Sequence, residues 1–140
     1  MSVSGRMWLA AVAVGLVVLA CGGAAGSSSS AGATVPVAVT ETDNGRTVTV
    51  ASGGQVVVTL HSTYWTFGAA PNPAVLREVG QPVASPGSCP PGVGCGQVTA
   101  TFTAVGPGRA DITASRSSCG EALSCTGGAG SFRVSVVVGG

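Results

Sequence analysis

Apolar and polar residues alternate one by one along most of the chain beyond residue 34, a period of two that predicts β-strands with one buried face. The clearest stretch is Val98–Val105, where Val98, Ala100, Phe102 and Ala104 fall on one side and Thr99, Thr101 and Thr103 on the other. Gln55–His61 repeats the pattern with Val56, Val58 and Leu60 inward. Arg109–Ser115 does so with Ala110, Ile112 and Ala114, and Ser131–Val138 with Phe132, Val134, Val136 and Val138. Shorter strands are expected at Thr34–Thr40, with Pro36 pointing to a sheet edge, at Thr47–Val50 and at Ala74–Val79.

Turn residues separate these ribbons: Asp43-Asn44-Gly45-Arg46, where Asn-Gly is a strong hairpin signal, then Ser52-Gly53-Gly54, Pro71-Asn72-Pro73 and Gly106-Pro107-Gly108. Gln81–Gly96, crowded with proline and glycine, reads as one long loop, and Ser117–Gly130 as a second. No segment carries a helical period. Seven or so short strands split by turns predict an all-β, immunoglobulin-like Greek-key β-sandwich.

The first 33 residues follow a different logic. One positive charge, Arg6, precedes the uncharged apolar run Met7–Leu19, then Ala20 and Cys21, the composition of an export signal. A cysteine directly after the small residue resembles a lipoprotein signal, in which the bond before Cys21 is cut and a lipid is attached to its thiol. The run is too short for a membrane-spanning helix, which needs about 20 apolar residues. The organisation expected is therefore a lipoprotein signal peptide over 1–20, a Gly/Ser-rich tether over 21–33 and one sandwich domain over 34–140. Its expected location is extracytoplasmic, lipid-anchored to the bacterial cell membrane.

Charge narrows the partners. The chain holds Lys+Arg 6 and Asp+Glu 5, and without Arg6 the basic residues are Arg46, Arg77, Arg109, Arg116 and Arg133. These match the acids Glu41, Asp43, Glu78, Asp111 and Glu121, so the domain is near neutral and has no electrostatic footprint for nucleic acid. It also lacks a polybasic patch for anionic lipid, so lipid on Cys21 would be the membrane contact. A monomer is expected.

Apart from Cys21, the cysteines are Cys89, Cys95, Cys119 and Cys125, spaced C-x5-C in CPPGVGC and again in CGEALSC. In an exported domain this reads as two disulfides. Crossed pairings stay open. Cys89–Cys95 with Cys119–Cys125 is favoured, because each pair brackets its own loop. A structural zinc site is the rival, and its ligand pairs are usually closer together.

The segments ETDNGRTVTVASGGQVVVTL, NPAVLREVG, GVGCGQVTATFTAVGPGRADITA and SFRVSVVV, spanning most of Glu41–Val138, resemble the chagasin-like inhibitors of papain-type cysteine proteases. The resemblance implies an immunoglobulin-like sandwich that acts through three loops at one end. Those loops carry an NPTTG-type motif, a Gly-rich G-x-G-G segment and an Arg-Pro-aromatic segment. The second matches in part at Gly92-Val93-Gly94-Cys95-Gly96. The first loop position reads His61-Ser62-Thr63-Tyr64-Trp65 instead, and the third keeps only Arg116.

By this carry-over, the partner-binding residues would be His61, Ser62, Thr63, Tyr64, Trp65, Gly92, Val93, Gly94, Gly96 and Arg116. For Trp65 and Phe67 the core is the favoured place, because few other large residues exist to fill it, whereas His61 and Tyr64 stay open between the two roles. His61 is the sole histidine, Ser62 beside it lies in no nucleophile elbow, and no phosphate- or dinucleotide-binding loop occurs. Catalysis, a metal and a cofactor are therefore not expected. Two functions follow: a lipid-anchored binding module that occludes a papain-like cysteine protease, or a non-inhibitory structural or accessory cell-envelope lipoprotein that engages another envelope protein.

Overall fold

The structure is a computed structural model that describes residues 34–120 and 122–140. The export signal, Cys21 and the tether lie outside the described residues. Among those described there is no α-helix, and eleven strands account for the fold.

One sheet contains β1 (Val37–Val39), β3 (Gln55–His61), β7 (Gly96–Ala104), β5 (Leu76–Glu78) and β6 (Val83–Pro86); the other contains β2 (Thr47–Ala51), β11 (Ser131–Gly139), β8 (Gly108–Ser115) and β4 (Thr66–Phe67). In the first, β1 runs parallel to β3, and β3 pairs antiparallel with β7. Both β5 and β6 line the far side of β7, one at each end. In the second, β11 lies between parallel β2 and antiparallel β8, with β4 on the outer edge of β8. A small ribbon of β9 (Ser118–Gly120) and β10 (Leu123–Ser124) projects from the β8–β11 connection.

The two sheets form the sandwich that the alternation predicts. Val56, Val58 and Leu60 of β3, Val98, Ala100, Phe102 and Ala104 of β7, Ala110, Ile112 and Ala114 of β8, and Phe132, Val134, Val136 and Val138 of β11 are all buried in one core. Among the described residues no polar or charged one is buried with them. The outward faces carry Thr and Ser, with Thr59 and Thr99 hydroxyls 3.3 Å apart across the β3–β7 pair. On the other sheet Ser135 donates to Asp111 at 2.6 Å, and Arg133 lies 3.8 Å from the same carboxylate. An exposed pair of that kind contributes roughly 0–1 kcal/mol.

Three sequence expectations change, the first being the Ser117–Gly130 loop, which holds the paired strands β9 and β10. The turn at Asp43–Arg46 is not a hairpin: a 3₁₀ turn at Glu41–Asp43 and Gly45 carry the chain from β1 in one sheet to β2 in the other. Asn44 holds that crossover, donating to Ser131 O at 2.9 Å and accepting from the Arg133 N–H at 2.9 Å. The Gln81–Gly96 loop is likewise interrupted, since Val83–Pro86 pairs with Gly96–Thr99 as an edge strand.

Candidate functional site

Strand registers bring three loops to the same end. His61 at the end of β3 sits opposite Gln97 at the start of β7, Pro86 of β6 opposite Gly96, and Ser131 of β11 opposite Ser115 of β8. The segments continuing from these positions are 61–65, 87–95 and 116–130. They share a cavity of about 330 Å³ lined by His61, Ser62, Val93, Gly94, Cys95, Gly96, Arg116, Cys119 and Gly120.

The first loop is tied to the second by main-chain and side-chain bonds. Ser62 N–H donates to Gly96 O at 2.8 Å, and Thr63 N–H to Gly94 O at 2.9 Å. The Tyr64 hydroxyl donates to Gly92 O, and its ring lies over Gly94. Only glycine allows that approach: a Cβ at Gly94, which has a φ of +65°, would stand 2.7 Å from Tyr64 Cζ and nearer still to other ring atoms. Gly96, with a φ of +111°, lets β6 close on β7, where a Cβ would reach 2.6 Å from Gly87 N. Ser62 itself holds a φ of 103° without being glycine, a conformation that costs on the order of 1–3 kcal/mol. Its hydroxyl accepts from Tyr64 N–H at 3.2 Å.

Trp65 is 5% exposed and belongs to the core; Phe67 is half-buried against it. The Trp65 indole N–H donates to His61 O at 3.0 Å, which fixes the base of the first loop. Arg116 lies over the Trp65 ring, with Cζ 4.5 Å from the centroid, an arrangement stabilised by the ring quadrupole. The Arg116 Nε–H donates to Ala129 O at 3.2 Å, and its backbone N–H to Gly130 O at 2.9 Å. Trp65 is thus the floor of the third loop's arginine, not a projecting contact residue.

Both disulfides join neighbouring cysteines, Cys89 to Cys95 and Cys119 to Cys125. Each closes a loop of the shared end. One cysteine from each bond, Cys95 and Cys119, lines the cavity.

Glu41 completes the site and had no local signal in the sequence, because it reaches His61 only through the sheet-to-sheet crossover. Its carboxylate accepts from the His61 backbone N–H and lies 3.1 Å from His61 Nδ1. Partial burial pushes the Glu41 carboxyl up, but the bonds from the His61 ring and from backbone N–H groups, with the His61 charge, outweigh it and hold it below its usual value. A second, smaller cavity of about 200 Å³ lies on the other side of Arg116 and includes Glu41, Trp65 and Phe132. The arrangement offers rigid loops, one arginine fork and a shallow cavity, and assembles no nucleophile–base pair among the described residues.

No protein-family model matches the chain, and no curated protein matches its sequence. Solved structures do share its fold. The cysteine protease inhibitor EhICP2 from Entamoeba histolytica superposes with a TM-score of 0.52 at 12% identity, covering 74% of this chain and 95% of that one. Amebosin superposes with a TM-score of 0.53 at 18% identity, covering 75% of this chain and 99% of that one. At such identities the likeness establishes the fold: an all-β, immunoglobulin-like sandwich of the kind found in a cysteine protease inhibitor.

Proposed function

We propose that this chain is a non-catalytic binding protein that occludes a papain-type cysteine protease with its three-loop end, and that it works outside the cell, tethered by lipid on Cys21. The carrying observation is the convergence of 61–65, 87–95 and 116–130 on one cavity. Two of those loops are closed by their own disulfides, on a fold shared with a cysteine protease inhibitor. Loops already cross-linked and bonded to each other lose little conformational freedom on docking, which favours affinity. The tether follows from the signal-like run before Cys21 and the Gly/Ser stretch after it.

The test is a titration of the protein against papain with a peptide substrate. Inhibition at or below micromolar concentration is expected, weakened about tenfold or more by Arg116→Ala, as for a side chain at the centre of an interface. Full protease activity at micromolar inhibitor removes this reading. Labelling with a fatty-acid analogue, abolished by Cys21→Ser, tests the tether separately.

A second reading, an accessory envelope protein with another protein partner, draws on the first loop. Tyr64 is folded over Gly94 and Trp65 is buried, so the loop's two aromatic side chains face the protein itself. An affinity capture from envelope extract that recovers a non-protease partner, alongside a negative titration, supports this reading.

A further inference from the structure

The cavity between the three loops has a one-signed lining. Its ionisable side chains among the described residues are His61 and Arg116, and no described carboxylate lines it. Glu41 stands in the neighbouring cavity across Arg116 and is engaged by His61. Arg116 spends its Nε–H on Ala129 O and its face on Trp65, while no described carboxylate lies within 4.0 Å of its guanidinium. The Trp65 contact and the bond to Ala129 O together hold the guanidinium in place, leaving its terminal N–H groups as a fork of the kind that receives a carboxylate through two parallel bonds.

We infer that the cavity bounded by Arg116, His61 and Gly94 is a binding site for a single carboxylate of a peptide or protein partner. A monoanion fits better than phosphate, because one permanent cation, which also lines a second cavity with the Glu41 carboxylate, leaves a dianion under-compensated. The inference deepens the proposed inhibitory reading by requiring an acidic group at the rim of the docked protease's cleft. Its test, however, uses no protease.

Full-length protein labelled with ¹⁵N is titrated with four probes while the Arg116 Nε–H and the amides of 61–65 and 92–96 are followed by NMR. The probes are the blocked peptides acetyl-Gly-Glu-Gly-amide and acetyl-Gly-Gln-Gly-amide, acetyl-Gly-Ala-Gly with a free C-terminus, and inorganic phosphate. An acidic side chain as ligand predicts saturable shifts with the glutamate peptide at about millimolar Kd, and at least tenfold weaker binding of the glutamine peptide. Preference for the free C-terminus assigns the carboxylate to a chain end instead, within the same site.

Binding is expected to weaken several-fold between 0.05 and 0.5 M salt, as about one Debye length shrinks towards contact distance. Arg116→Lys, which keeps the charge and loses the fork, is expected to weaken it several-fold more, with the remaining spectrum unchanged. Glu121→Gln addresses the one carboxylate of the third loop that lies outside the described residues, and is expected to tighten binding or leave it as it was. Equal shifts from the glutamate and glutamine peptides, tighter binding of phosphate, or no loss in Arg116→Lys overturns the assignment. Carboxylate binding without papain inhibition leaves this site standing and removes the protease reading; inhibition that is indifferent to salt and to Arg116→Lys does the reverse.

Discussion

Gly94 provides a quantitative probe of how the first two loops are held together. Gly92 and Gly94 both have positive φ, +89° and +65°, but a Cβ at Gly92 meets nothing within 4 Å whereas one at Gly94 collides with the Tyr64 ring. Gly92→Ala therefore incurs only the left-handed backbone cost of about 1–2 kcal/mol, offset by roughly 0.4–1 kcal/mol from a less flexible unfolded chain. The net expectation is a loss of about 1 kcal/mol.

Gly94→Ala adds displacement of Tyr64, which forfeits its hydroxyl bond to Gly92 O, worth about 0.5–1.5 kcal/mol. Wetting the covered side of the half-buried ring adds about 1 kcal/mol at ~25 cal/mol per Å². The total is roughly 2.5–3.5 kcal/mol.

The assay is urea unfolding of the two glycine variants, Tyr64→Ala, and the double variant Gly94→Ala/Tyr64→Ala. Because Tyr64 is the single tyrosine, its ring proton resonances, assignable without ambiguity by NMR, report the displacement directly. With the ring gone, the Gly94→Ala penalty should fall to that of Gly92→Ala, giving a coupling of about 1.5–2.5 kcal/mol in the double-mutant cycle. Equal costs for the two glycines, or strict additivity in the cycle, refutes the claim that Tyr64 locks the second loop.

Four further outcomes follow from the packing, the charges and the disulfides. Leu60→Ala, at a fully buried position, should cost about 2–5 kcal/mol in urea unfolding. Thr101→Ala, on the outer face of β7, should change stability by less than about 0.5 kcal/mol. The folded-state pKa of Glu41 is depressed, so its contribution to stability is complete above the ordinary carboxylate range and disappears as pH falls through the depressed value. Unfolding curves of the protein and Glu41→Gln should differ at pH 7 and converge on acidification; a gap that widens in acid contradicts the assignment. Replacing Cys119 and Cys125 together by serine should lower stability by about 2 kcal/mol on the chain-entropy account of so short a loop, with a Tm drop of roughly 10 °C. The far-ultraviolet β signature should remain, because the sandwich core includes neither cysteine.

The four long strands were legible because each has one buried and one wet face, so that side-chain chemistry alternates with the backbone pleat. In β3, β7, β8 and β11 every residue expected to face inward does so. Strand β6 carried no such mark: all four of its residues are exposed, and its pairing to β7 is made by backbone groups that no side chain reports. The Asn44-Gly45 turn was recognisable as a turn, yet its direction was set by Ser131 and Arg133, which are 87 and 89 residues away in sequence.

The same contrast holds at the site. Cysteine spacing marked the two closed loops, and the sequential pairing matches the bonds observed. The Glu41–His61 contact and the Arg116–Trp65 stack could not be read, because each joins loops brought together only by strand register. Trp65 illustrates how composition helps: the scarcity of large residues favoured a core role over a contact role, and its 5% exposure agrees.

If the three-loop end is the surface that meets a partner protein, hydrogen exchange of the full chain, alone and with active-site-alkylated papain, should report it. Added protection is expected in 61–65, 87–96 and 116–130 together, with the amides of β2 and of the β5–β6 connection unchanged. Protection confined to those outlying segments, or no protection at a papain concentration of tens of micromolar, would contradict a partner surface at that end.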